Sequence, residues 1–255
     1  MKRSLVLTAI VMVAFVRQAP AEQLTIALST PEVKINSNFT GTAVTIFGVI
    51  ERDSATVGRA AGYQIAVLVR GPGENVVARR KDRILGVWAN SASETFVAAP
   101  SFYAISTSTA LSALTSPDRL RRLQLGFDNI GFTDARRPGS NDPAADRFRE
   151  AFRRLKQEAG LYSEATGVDF IGDTIFRTTV WIPANVPVGN YRASVMLFAD
   201  GTPLATAEDR IVISKTGFEQ FMFAVSRQQA LLYGLATVIL ALFTGWLAGV
   251  IFRRD

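Results

Sequence analysis

From Ala230 to Phe252 the chain carries no charged residue. A run of about 23 residues makes a helix on the order of 34 Å long, enough to cross the hydrocarbon of a bilayer with some tilt. Almost no soluble fold buries such a segment, so the sequence predicts a transmembrane helix over 230–252 and a short tail over 253–255. Arg253 and Arg254 follow the run at once, whereas only Arg227 stands just before it. This bias predicts that the C-terminus faces the cytoplasm. Tyr233 and Trp246 lie toward opposite ends, where interfacial aromatics sit. Thr237, Ala241, Gly245 and Gly249 recur every fourth residue and place small side chains along one stripe. Such a stripe lets a second helix approach closely, either a membrane partner or a second copy of the chain.

The other end also reads as a membrane signal. Lys2 and Arg3 precede an apolar run from Leu5 to Val16, and Ala19-Pro20-Ala21 has the small-x-small form that signal peptidase accepts. The run is about 12 residues, short of the roughly 20 a span needs. Residues 1–21 are therefore expected to be a cleaved signal peptide. Residues 22–214 become a periplasmic domain, 215–229 a juxtamembrane segment with Phe218, Phe221, Met222 and Phe223, and the protein a single-span resident of the inner membrane.

Composition then excludes chemistry. The chain has no Cys and no His, which removes thiolate nucleophiles, Ser-His-Asp and Cys-His systems, Cys-ligated metals and any base titrating near neutrality without a large shift. The net charge of +6 falls to +2 once the leader and tail are set aside, so the basicity serves export and orientation, not nucleic acid. A carboxylate enzyme or a hard-cation site would have to use Glu164, Asp169 and Asp173, whose spacing is that of turn residues. No cofactor, metal or catalytic activity is expected.

Between the ends, β-branched and aromatic runs alternate with turn residues at 23–29, 42–50, 63–70, 75–80, 83–90, 94–98, 102–106, 169–182, 191–199 and 204–213, and Asp200-Gly201 marks a hairpin. Strands without regularly interspersed helices predict a mainly β fold, an immunoglobulin-like antiparallel β-sandwich, with Tyr191 as a corner residue of its last hairpin. One helical insertion interrupts it near 142–160. Asn141-Asp142-Pro143 starts the helix, Phe148, Phe152, Leu155 and Ala159 fall on one face, and Gly160 stops it. Its other face carries Arg147, Arg149, Arg153, Arg154 and Lys156, and a shorter helix from Pro117 to Leu123 holds three more arginines. With acidic residues interspersed, both read as solvated faces.

The densest basic stretch is Arg79-Arg80-Lys81 with Arg83, followed by Trp88 and Asn90. Guanidinium forks and an amide suit an oxyanion such as sulfite or sulfonate, which makes Arg79, Lys81, Arg83 and Asn90 the candidate anion-binding residues. Strand alternation puts Arg79 and Lys81 on one face and Arg80 on the other. Trp88 reads as a core aromatic and Asn90 as a turn residue.

Phe39-Thr-Gly41-Thr-Ala-Val-Thr-Ile-Phe47-Gly48, Val69-Arg70-Gly71-Pro72, Gly86-Val-Trp88-Ala-Asn90, Pro100-Ser-Phe102-Tyr103, Pro187-Val-Gly189-Asn-Tyr191, Gly217-Phe218-Glu219 and Gly245-Trp246 with Phe252-Arg253-Arg254 occur in this order. In these segments the chain resembles the alphaproteobacterial "putative transmembrane protein" family over nearly its whole mature length. The resemblance implies an accessory role beside an integral membrane partner, a sulfite-exporter-like permease of the TauE/SafE type. The expected function is thus a non-enzymatic interaction subunit of a transporter or envelope complex. The alternative is a periplasmic oxyanion-binding or sensing module working with a permease.

Overall fold

The computed structural model describes residues 22–52, 62–84, 86–134, 143–216 and 230–251. The expected signal peptide, most of the juxtamembrane segment and the tail lie outside the described residues.

The chain runs through β1 (Gln23–Leu28), β2 (Glu32–Ile35), β3 (Gly41–Glu51), β4 (Gln64–Arg70), β5 (Gly73–Ile84), β6 (Val87–Pro100) and β7 (Tyr103–Thr107). Two short helices follow, α1 (Leu111–Leu114) and α2 (Pro117–Leu123), then a 3-10 turn (Phe127–Asn129), β8 (Thr133–Asp134) and the insertion helix α3 (Pro143–Glu158). Then come β9 (Tyr162–Thr166), β10 (Val168–Phe170), β11 (Ile175–Pro183), β12 (Gly189–Ala199), β13 (Thr202–Lys215) and α4 (Ala230–Ile251).

Alternation decides the first sheet, of order β1-β3-β11-β10. Val44, Ile46 and Ile50 of β3 and Phe176, Val180 and Ile182 of β11 point inward and are buried, while Phe47, Val49, Ile175 and Trp181 point outward. This is the period-2 pattern of a sheet with one covered face. The second sheet has the order β2-β13-β12-β4-β7-β9. Its central strands differ, for Ile65 to Val69 of β4 and Ala193 to Ala199 of β12 are buried without a break. Such continuous runs require cover on both faces. The opposing sheet supplies one cover. The helical region contributes to the other, since buried Leu114, Leu120, Leu125 and Phe152 join the same core. Thr115 Oγ1 and Arg119 donate to the Gly201 carbonyl and tie α2 to the β12–β13 turn.

The two stacked sheets form the expected immunoglobulin-like sandwich. Tyr191 is its corner residue, buried to 1% exposure, with its hydroxyl donating to the Pro187 carbonyl at 2.5 Å. Burial, first, pushes that phenol up to about 12. At the β12–β13 turn Asp200 and Gly201 have φ of 49° and 71°. Both are left-handed, as a two-residue type I′ hairpin demands.

The structure departs from the sequence expectation in several places. Pairing is mixed, because β2 runs parallel to β13 and β9 parallel to β7. The runs 75–80, 83–90 and 94–98 join into one long hairpin, β5 with β6, and β8 adds a third strand to it. The run 169–182 divides at a turn into β10 and β11, which pair with each other. Trp88 is 69% exposed and no core residue, because the hairpin carries it beyond the sandwich. Asn90 lies within β6, opposite Lys81, and is not a turn residue. On α3, Phe152 is buried but Leu155 is 60% exposed. The helix therefore docks on one edge of its apolar face and leaves the other edge open.

Candidate functional site

The basic stretch lies along β5. Register pairs Arg79 with Ser93, Lys81 with Asn90 and Arg83 with Trp88, and β6 holds one extra residue, Ser91, between Asn90 and Ala92. Residues directly opposite share a face of a pleated pair. Arg79, Lys81, Arg83 and Asn90 thus lie on one face of the hairpin, and all four are exposed. Arg80 turns to the other face, where it forms an ion pair with Asp82 at 3.0 Å. The Ser91 hydroxyl donates to the same carboxylate and, with Arg80, holds it below the usual range. Arg83 Nε donates to the Gly86 carbonyl at 3.3 Å. The four candidates form an open row, not a pocket.

The cations of α3 have a different role from a free basic face. Arg149 pairs with Asp146 and Arg154 with Glu158 along the helix. Arg153 donates to the Phe127 carbonyl at 2.9 Å and to Asp128 at 2.8 Å, and Lys156 pairs with Glu74 and donates to the Ser101 carbonyl. The last two pin the helix to the domain. The three acidic candidates do not converge. Glu164 on β9 accepts from the Phe127 N–H at 3.0 Å, Asp169 stands opposite Arg177 on the other sheet, and Asp173 lies in the turn after β10, its carbonyl bound by Arg52. Among the described residues no group of three Asp or Glu is placed to hold a metal ion.

Two concavities border α3. One, of about 620 Å³, lies between α2, the 3-10 turn and α3 and is lined by Leu120, Phe127, Glu150, Arg153 and Glu164 among others. Its opposed charges are largely spent on the backbone and on each other. Near its floor Tyr103, fully buried, donates to the Gln124 carbonyl and accepts from the Gly126 N–H, with its phenol raised above the ordinary range by burial. That ring is a structural brace. The second concavity, of about 530 Å³, is a groove between β5 and α3 lined mainly by apolar side chains, with Arg79, Arg80 and Arg147 among them. No sequence pattern marks it, since it depends on how far α3 sits from the hairpin.

In α4, Tyr233–Ile251 form a span of 19 residues with mean hydropathy 2.1, none of it covered by the domain. Thr237 Oγ1 donates back to the Gly234 carbonyl at 2.8 Å, which removes its polar group from lipid. A side chain at Gly245 or Gly249 would meet open space. The predicted stripe of Thr237, Ala241, Gly245 and Gly249 thus lies on an uncovered helix surface.

A family model described as "putative transmembrane protein" matches residues 23–254. No curated protein matches the chain.

Proposed function

We propose, from the premise that the chain belongs to this alphaproteobacterial transmembrane protein family, that it is a non-enzymatic accessory subunit whose immunoglobulin-like domain works beside an integral membrane partner. In this reading the leader is removed, the domain lies in the periplasm, α4 crosses the inner membrane and the tail is cytoplasmic. The partner is a transporter or envelope complex, with a sulfite-exporter-like permease as the leading instance. The observation that carries the reading is the uncovered apolar helix with small residues along one stripe. Helices in lipid gain little from apolarity alone and associate where small side chains permit close backbone contact. The test is affinity purification in mild detergent followed by mass spectrometry. A polytopic membrane protein is expected in the eluate of the native chain, and Gly245→Leu is expected to reduce it about tenfold, a change of about 1.4 kcal/mol. Recovery of the chain alone, or association indifferent to Gly245→Leu, would count against the reading; recovery of a self-dimer would reassign the stripe to homodimerisation.

A second reading, an oxyanion-binding or sensing module, is favoured by one fact, the shared face of Arg79, Lys81, Arg83 and Asn90. An exposed row of this kind binds anions weakly and loses affinity with salt. Calorimetric titration of the full chain with sulfite should show millimolar binding that Arg79→Ala weakens. No heat at millimolar ligand ends this reading.

A further inference from the structure

The strand β5 is the outermost of its sheet, of order β5-β6-β8, and among the described residues no strand pairs with its other side. It is 12 residues long, and an unpaired edge of that length presents backbone donors and acceptors to any extended chain. Beside it runs the apolar groove of about 530 Å³. Val76 and Ala78 of β5 form one wall, Phe148, Ala151 and Leu155 of α3 the other, and five successive β5 residues from Val76 to Arg80 line it. The groove therefore follows the strand. Alternate residues of an added strand, about 6.8 Å apart, would point into it.

Charge selects the occupant. Arg79, Arg80, Lys81 and Arg83 lie on β5, and Arg147 lines the groove from α3. Against them stand Glu74, paired with Lys156, Asp82, engaged by Ser91 and Arg80, and Glu94, opposite Ala78 on β6. A second copy of β5 added at this edge would set Arg and Lys against Arg and Lys, which like-charge repulsion disfavours. We propose that the free edge of β5, with the groove under α3, receives an extended segment of a partner protein in which acidic residues alternate with aliphatic ones. Main-chain hydrogen bonds give the affinity, the groove takes the aliphatic side chains, and the basic row takes the acidic ones. This rests on the accessory-subunit reading and names the chemistry of the partner's contact.

The test uses the full chain in lipid nanodiscs and a fluorescent peptide of about ten residues alternating Glu and Val, a length matched to a long strand. Anisotropy should rise to saturation and the affinity should fall as salt increases. A peptide with Lys in place of Glu should not bind, and neither should one N-methylated at alternate amides. Leu155→Glu and Arg79→Glu, at positions already exposed, should each weaken binding about tenfold with the thermal transition unchanged. Equal binding of the N-methylated peptide, indifference to both substitutions, or no peptide binding while laurate binds in the groove would overturn the proposal. Co-purification of the membrane partner by the Leu155→Glu chain at native yield, together with absent peptide binding, would overturn this surface alone and leave the accessory reading standing.

Discussion

Replacing Leu240 and Phe243 together by aspartate is expected to release the chain from the membrane. Both residues lie near the middle of the 19-residue span and are uncovered, at 65% and 55% exposure. At a helix centre Asp costs about 2.5–3.5 kcal/mol to insert, whereas Leu and Phe contribute about −0.3 to −0.6 each. The double change is therefore worth about 6–8 kcal/mol, a shift of roughly four to six powers of ten. Leu240 is seven residues from Tyr233, about 10 Å along the helix, so a side chain as short as Asp cannot reach the interface. Alkaline carbonate extraction reads the result. The native chain and a Leu240→Phe, Phe243→Leu exchange should stay in the pellet, and the aspartate pair should move to the supernatant. If the pair stays in the pellet, α4 is not what holds the chain to the bilayer.

That helix was legible because absence of charge over such a length has few other meanings. The strands β1, β3, β4, β7, β12 and β13 were legible for a related reason. Each faces the core on at least one side, and that burial writes itself into the chain as alternation or as an apolar run. The edge strands β2 and β9 carry no such record. β9, Tyr162–Thr166, has one buried residue followed by four exposed ones, so no periodicity marks it. β2, Glu32–Ile35, is four residues with two charges, and its parallel partner lies some 180 residues away. Nothing local could have named that partner. Trp88 misled for the opposite reason, since a large aromatic in a strand normally faces the core, but here the hairpin runs past the sandwich.

The candidate site was legible only as composition. Four basic residues in five were plain, and strand alternation correctly separated Arg80 from Arg79 and Lys81. The sharing of one face by Lys81, Asn90 and Arg83 needed the register of β6 and its extra residue, Ser91. The groove beside β5 needed the placement of α3, which is set by contacts remote in sequence. Phe152 packs against Phe96 and Tyr162 at ring separations of 6.0 and 6.1 Å, and Arg153 and Lys156 clamp the helix at Asp128 and Glu74. Half of the apolar face of α3 is consumed by this docking. The exposed half, with Leu155, is what remains for recognition.

The sandwich itself is expected to depend on one close fit between neighbouring strands of its first sheet. Phe176 on β11 is fully buried and stands directly opposite Gly48 on β3. A Cβ added at Gly48 would lie 2.1 Å from the ring's Cζ, so the aromatic ring occupies the space that any other residue would need. Phe170 adds an edge contact at 6.2 Å. Phe176→Ala should cost about 3–5 kcal/mol through lost burial and the cavity left behind. Gly48→Val should also destabilise, by about 1–3 kcal/mol or more, because strand backbone and ring cannot both keep their places. The two substitutions are complementary in volume, for the valine would extend into the space the ring vacates. The double variant should therefore be more stable than the sum of the single effects by about 1–3 kcal/mol, the range for residues in direct contact. Urea titrations of the full chain in detergent, followed by tryptophan fluorescence, give the three differences. Additive effects would mean that the ring of Phe176 does not rest on Gly48, and the pairing of β3 with β11 would then need another source of its register. A favourable coupling would show that a residue lacking a side chain positions the largest fully buried one of its sheet, and with it the sheet that backs the β4 and β12 core.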